Sequence, residues 1–185
     1  MNAHAPFSFA RPDADRIVVI GAGIAGLATA LRLAPRPVTL VTAAPLGIGT
    51  ATGWAQGGIA AAIGADDAPE LHAADTLAAG AGLTETDVAA RVAAAGPGLI
   101  DWLVGFAAPF DRDTAGALAL GLEAAHSRRR IVRAGGDSTG RIVLETLVRA
   151  VGRTPSVTVL VAEARDAHGE AVTVFEGRYV ALRAK

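Results

Sequence analysis

The chain has 185 residues, a formal net charge of −1 and no cysteine. Its length suffices for an ordinary domain with a real core, and the near-neutral charge leaves no footprint for nucleic acid or an anionic membrane. The missing cysteine excludes disulfides, iron–sulfur ligation and thiolate chemistry within this chain, and fits a reducing cytoplasm.

Residues 1–15 lack the charged start and apolar centre of a signal peptide and read as a loose leader ahead of residues 16–185. The β-branched run RIVVI, Arg16–Ile20, predicts a buried strand that stops at Gly21. Gly23–Ala34 then collects helix formers, with Leu27, Leu31 and Ala34 on one face, until Pro35 and Pro37 end it. Val38–Thr42 predicts a second strand, so the first part of the chain is a βαβ unit with parallel strands.

The turn inside that unit is Gly21-Ala22-Gly23-Ile24-Ala25-Gly26, a GxGxxG pattern between strand and helix. Such a turn binds dinucleotides for physical reasons. The first glycine allows a tight turn, the second lets backbone approach a diphosphate, and the third lets the helix sit close on the sheet. Backbone N–H groups at the helix start then face the negative charge. The acidic residue that commonly holds the ribose is absent, because the second strand ends Val41-Thr42-Ala43-Ala44. Thr42 offers a weaker hydroxyl contact there, or simply terminates the strand.

An uncharged run covers 37–65, but Pro45, Gln56 and repeated Gly and Thr break it, so a membrane span is rejected. Pro69–Ala79 and Thr84–Phe106 are the next helical segments, the second opened by a Thr84/Asp87 capping pair and broken at Gly96-Pro97-Gly98. Arg128, Arg129 and Arg130 read as a solvated basic rim, with a short strand over Arg129–Arg133. Ser138–Val151 predicts an amphipathic helix whose core positions are Ile142, Leu144, Leu147 and Val148. Ser156–Arg165, Glu170–Phe175 and Arg178–Arg183 follow as strands of an antiparallel meander, and the chain stops in a strand pattern that resembles a truncation. His4, His72 and His168 belong to no constellation and read as surface residues, and no carboxylate–histidine spacing suggests a metal site.

Taken together, IVVIGAGIAGLATALRLA, TATGWAQGGIAAAI, DTLAAGAGL, AHSRRRIV and GDSTGRIVLETLV resemble, in family order, the flavoprotein family of L-aspartate oxidase and the succinate dehydrogenase/fumarate reductase flavoprotein subunits. The resemblance covers most of Arg16–Val151 and implies an α/β fold: a Rossmann-like FAD-binding domain with a parallel sheet, here its N-terminal part, without the capping and helical domains. It implies FAD with its diphosphate over the GxGxxG turn and the flavin along Ala51, Thr52, Gly53, Trp54, Ala55, Gln56, Gly57 and Gly58. Gly53, Ala55, Gly57 and Gly58 are small so that backbone can approach the ring system. The dehydrogenase branch carries a flavin-linked histidine three residues before the WA pair. Ala51 stands there, which implies non-covalent FAD and the aspartate oxidase branch.

Residue by residue, Glu123 matches the glutamate that lies near the substrate amine, and His126 and Ser127 match the HS pair that follows, with His126 a weaker substrate contact. Ala124 and Ala125 stand where the family usually has two glycines. The activity so implied is oxidation of L-aspartate to iminosuccinate in the cytoplasm, with oxygen or fumarate as acceptor and quinolinate synthase as a pathway partner. Residues that bind the substrate carboxylates are expected beyond Lys185, so the 185-residue chain is expected not to turn over aspartate alone. Two other readings are a fumarate reductase-like enzyme and a non-catalytic FAD-binding module.

Overall fold

The computed structural model describes residues 16–162. The described residues divide into two compact units, one formed by residues 16–48 with 150–162 and the other by residues 49–149.

In the first unit, β1 (Ile17–Ile20), β2 (Val38–Thr42) and β6 (Val157–Val161) make a parallel sheet in the order β1-β2-β6. Register pairs Ile17 with Val38 and Val38 with Val157, so β2 is central, and Val38 and Leu40 are fully buried. Helix α1 (Ile24–Leu33) crosses from β1 to β2 and buries Leu27, Ala30 and Leu31. Ala34, expected on that face, is instead the exposed C-cap, because the helix ends one residue earlier. The first of the three C-terminal strands joins the parallel sheet beside β2. The other two expected strands, with His168, lie outside the described residues, as do His4 and the leader.

The second unit is built on helices α2 (Pro69–Ala79) and α3 (Thr86–Gly105) and on a small antiparallel sheet. In that sheet β5 (Ile131–Val132) lies between β3 (Ile59–Ala60) and β4 (Leu120–Gly121). Helix α4 (Thr139–Gly152) begins in this unit. The expected break at Gly96-Pro97-Gly98 does not occur: α3 runs through Pro97 without interruption. Its buried stripe Ala89, Ala93, Gly96, Ile100 and Leu103 explains why. That spacing of four and three residues keeps one face in the core, and the burial outweighs the one backbone hydrogen bond that a proline removes. Gly96 also sits against Ala61, with 3.4 Å between the Ala61 Cα and the place a Cβ would occupy. The expected Thr84/Asp87 cap is not formed either. Glu85 is the N-cap, without a side-chain bond, and the Thr84 side chain packs over Gly80. Among the described residues α3 is the one helix long and apolar enough to cross a membrane.

Along α4 the buried positions are Val143, Leu144, Thr146, Leu147, Ala150 and Val151. Leu144 and Leu147 are as expected, whereas Ile142 and Val148 are only half-buried and Val143 takes their place. The helix is rotated so that its start can dock on the loop at 52–55, as described below.

Candidate functional site

The GxGxxG residues form the turn from β1 into α1. Gly21 has φ +103°, a backbone state that a side chain would strain, and its N–H donates to the Val41 carbonyl at 2.8 Å. Gly23 is the N-cap of α1 in an extended conformation, with no side chain to occupy the helix start. A Cβ on Gly26 would collide with the Gly21 carbonyl oxygen, so the third glycine is what allows the helix its close approach. Ala22 is buried, Ile24 is exposed and Ala25 follows in the first helical turn, which contains no carboxylate. The positive end of the helix dipole is therefore uncompensated by acidic side chains of its own. At the end of β2, Thr42 is buried and its hydroxyl donates to the Ala44 carbonyl at 2.9 Å.

In the second unit, Ala51, Thr52, Gly53 and Trp54 form a 3₁₀ turn, and the Ala55 N–H donates to the Thr52 carbonyl at 3.2 Å. Trp54 is 84% exposed, and Ala55, Gln56 and Gly57 are exposed as well. Smallness here has two causes. A Cβ on Gly57 would meet nothing within 4 Å, so internal packing does not require a glycine there. Gly58 differs: a Cβ would strike the Ile131 side chain and come within 2.5 Å of the Val132 carbonyl. Gly58 is thus small in order to cross β5, a reason the sequence did not reveal. Ala55 accepts a 2.9 Å hydrogen bond from the Gly140 N–H, and a Cβ on Gly140 would lie 2.6 Å from the Ala55 carbonyl oxygen. The start of α4 is seated on this loop by a missing side chain.

Glu123 follows β4, and its carboxylate accepts from the Arg133 guanidinium. The guanidinium carbon lies 3.6 Å from the place of a Gly121 Cβ, and the Arg133 Cγ lies 3.0 Å from that of Gly58. Arg133 therefore spans from the 51–58 loop to Glu123. The 123–127 turn is closed by a 3.2 Å bond from the His126 N–H to the Glu123 carbonyl, and Ala125 takes a left-handed backbone, φ 69°.

Behind the turn lies a charged cluster that the sequence reading missed. Arg130, expected on a solvated rim, is fully buried. Its guanidinium grips Asp67 with two bonds of 2.8 and 2.9 Å and Asp75 with one of 2.7 Å. Asp75 also accepts from the Ser127 N–H (2.8 Å) and hydroxyl (2.9 Å). These bonds, the Ser127 N–H first, hold the Asp75 carboxyl below the usual aspartate range despite partial burial. His72, expected on the surface, stacks edge-on against His126 with ring centres 5.5 Å apart, and its Nδ1 is buried without a partner. Burial, then the charge of Arg130, pushes the His72 pKa down. Strand parity gave no signal for Arg130, because Ile131 and Val132 on the two faces of β5 are both buried. Among the described residues no group of side chains could hold a metal ion.

Comparison with known proteins agrees with this geometry. A family model described as "FAD binding domain" matches residues 16–171. L-Aspartate oxidase of Agrobacterium fabrum is 52% identical over 149 residues, covering 80% of this chain and 28% of that protein. L-Aspartate oxidase of Mesorhizobium japonicum is 54% identical over 143 residues, covering 77% of this chain and 28% of that protein. Among solved structures, Mycobacterium smegmatis Sdh1 in complex with UQ1 superposes with a TM-score of 0.71 at 26% identity, covering 83% of this chain and 30% of that one. The chain spans less than a third of the length of these relatives. The left-handed glycine, the Gly26–Gly21 contact and the uncharged helix start fit a bound diphosphate. The chain belongs to the FAD binding domain family, and FAD is its cofactor.

Proposed function

We propose that this chain carries the flavin-facing part of an enzyme that oxidises L-aspartate to iminosuccinate in the cytoplasm, with oxygen or fumarate as acceptor. The observation that supports this best is its identity of 52% over 149 residues and 54% over 143 residues to two L-aspartate oxidases. A place in NAD biosynthesis, with quinolinate synthase consuming the product, follows from the same reading.

Bound FAD would supply a two-electron acceptor. The chain's own residues do the holding. Backbone N–H groups at the start of α1, after Gly23, would hold the diphosphate, and Thr42 would stand at the ribose end of β2. Ala51–Gly58 give the ring system a wall without bulk at Gly57. Ala51 has no nucleophile, so the flavin is held non-covalently. Glu123 attracts the substrate ammonium and orients Cα–H towards the flavin, and its carboxylate can accept the proton that the ammonium gives up as the imine forms. His126 flanks that turn as a second polar contact.

Turnover is assigned to a protein of the relatives' extent rather than to these 185 residues alone, and one assay compares the two. Hydrogen peroxide released from L-aspartate by the FAD-loaded longer protein, and its loss in Glu123→Gln, is the expected result. Activity with succinate or fumarate but not aspartate would replace this reading with a fumarate reductase-like one. Acid precipitation should free all flavin into the supernatant; flavin retained in the pellet would contradict the role given to Ala51.

A further inference from the structure

The Arg133–Glu123 pair has an arrangement that a simple surface ion pair does not need. Arg133 follows β5, yet its side chain turns back across β4. It lies over Gly121, with the guanidinium carbon 3.6 Å from where a Cβ would stand, and its Cγ lies 3.0 Å from where a Gly58 Cβ would stand. Two positions without side chains thus make the channel that delivers the guanidinium to Glu123. Both side chains remain 41% exposed, and one N–H of the guanidinium is used. An exposed ion pair adds little to stability, so stability alone does not account for such a path, and the pair opens at little cost.

We propose that Arg133 and Glu123 together read an α-amino acid, Glu123 taking the ammonium and Arg133 the carboxylate on the same carbon. This rests on the reading that Glu123 faces the substrate amine. Without ligand, each half of the pair stands in for the charge its partner will receive. The guanidinium occupies the place of an ammonium, and the Glu123 carboxylate that of a substrate carboxylate. A zwitterion inserted between them replaces one ion pair by two. A planar guanidinium with unused donors suits a carboxylate, which it can grip with two parallel bonds. Arg133 is then a substrate contact supplied by this segment, beside the flavin-facing loop whose last glycine it crosses.

The test measures equilibrium affinity of the FAD-loaded protein for L-aspartate, for succinate, which lacks the ammonium, and for β-alanine, which lacks the α-carboxylate. Arg133→Met should weaken L-aspartate and succinate about tenfold or more, the size expected for a lost hydrogen bond to a charged group, and leave β-alanine unchanged. Arg133→Lys should recover part of the loss, and KM should rise with kcat nearly constant. Glu123→Gln should weaken L-aspartate and β-alanine but spare succinate. Equal weakening of all three ligands by Arg133→Met, or of none, overturns the role of Arg133. L-Aspartate affinity unchanged in Glu123→Gln, or no binding by the unaltered protein, overturns the underlying reading instead.

Discussion

Ala125 holds φ at 69°, a backbone state that costs an L-residue with a Cβ about 1–2 kcal/mol. It sits between Glu123 and His126, in the turn closed by the His126 N–H. A glycine there would remove the steric cost, offset in part by about 0.5–1 kcal/mol of extra freedom in the unfolded chain. Ala125→Gly should therefore raise stability by about 0.5–1 kcal/mol, read as a higher urea midpoint at unchanged slope. A lower midpoint would show that the turn depends on the methyl group. Gly58 and Gly57 are one residue apart and small for different reasons, one to cross β5 and the other with open space before it. Sequence alone cannot separate these, because both are the same letter in one motif.

At the scale of elements, the contact that holds α2 to the 123–130 segment is electrostatic and should respond to pH. His72 on α2 faces Arg130, His126, Asp67 and Asp75, and its folded pKa lies below the ordinary 6.5. Its unfolded form therefore binds more protons through that window, so stability is complete above 6.5 and falls as pH drops through the folded pKa. Asp75, also depressed, adds a second loss below the ordinary aspartate value of 3.8. Urea denaturation across pH should show both limbs. His72→Phe keeps a ring against His126 and removes the buried unpartnered nitrogen, so it should abolish the upper limb alone. Persistence of that limb would assign it to another group.

This cluster also marks how far sequence reading reached. The βαβ unit and its glycine turn were legible because strand, turn and helix periods are local, and each glycine answers to a neighbour within a few residues. Helix α3 was misread at Gly96-Pro97-Gly98 because the local breakers were visible and the stripe from Ala89 to Leu103 that outweighs them is a packing effect. Arg130 was misread for a similar reason. Its partners Asp67 and Asp75 lie more than fifty residues away, and a triple arginine looks the same on a rim as in a core. Glu123 could be named from a motif, but Arg133 could not, since its path depends on the missing side chains of Gly121 and Gly58.

For the whole molecule, cofactor and fold are linked by mass action: a ligand that binds only the folded chain adds about 2.7 kcal/mol at one hundred times its Kd. Saturating FAD should accordingly raise the melting temperature, and the two glycines of the 51–58 loop divide that effect. Gly57→Val introduces a side chain where a Cβ meets nothing within 4 Å, so stability without FAD should move by no more than about 0.5 kcal/mol. The same substitution should remove most of the FAD-induced rise, because the new side chain stands where the ring system must lie. Gly58→Ala should lower the melting temperature even without FAD, since its Cβ meets the Ile131 side chain and the Val132 carbonyl. Paired melts with and without FAD separate the two behaviours. A Gly57→Val protein that keeps the full FAD-induced rise would remove the loop from the flavin's surroundings and leave the glycine turn as the remaining contact.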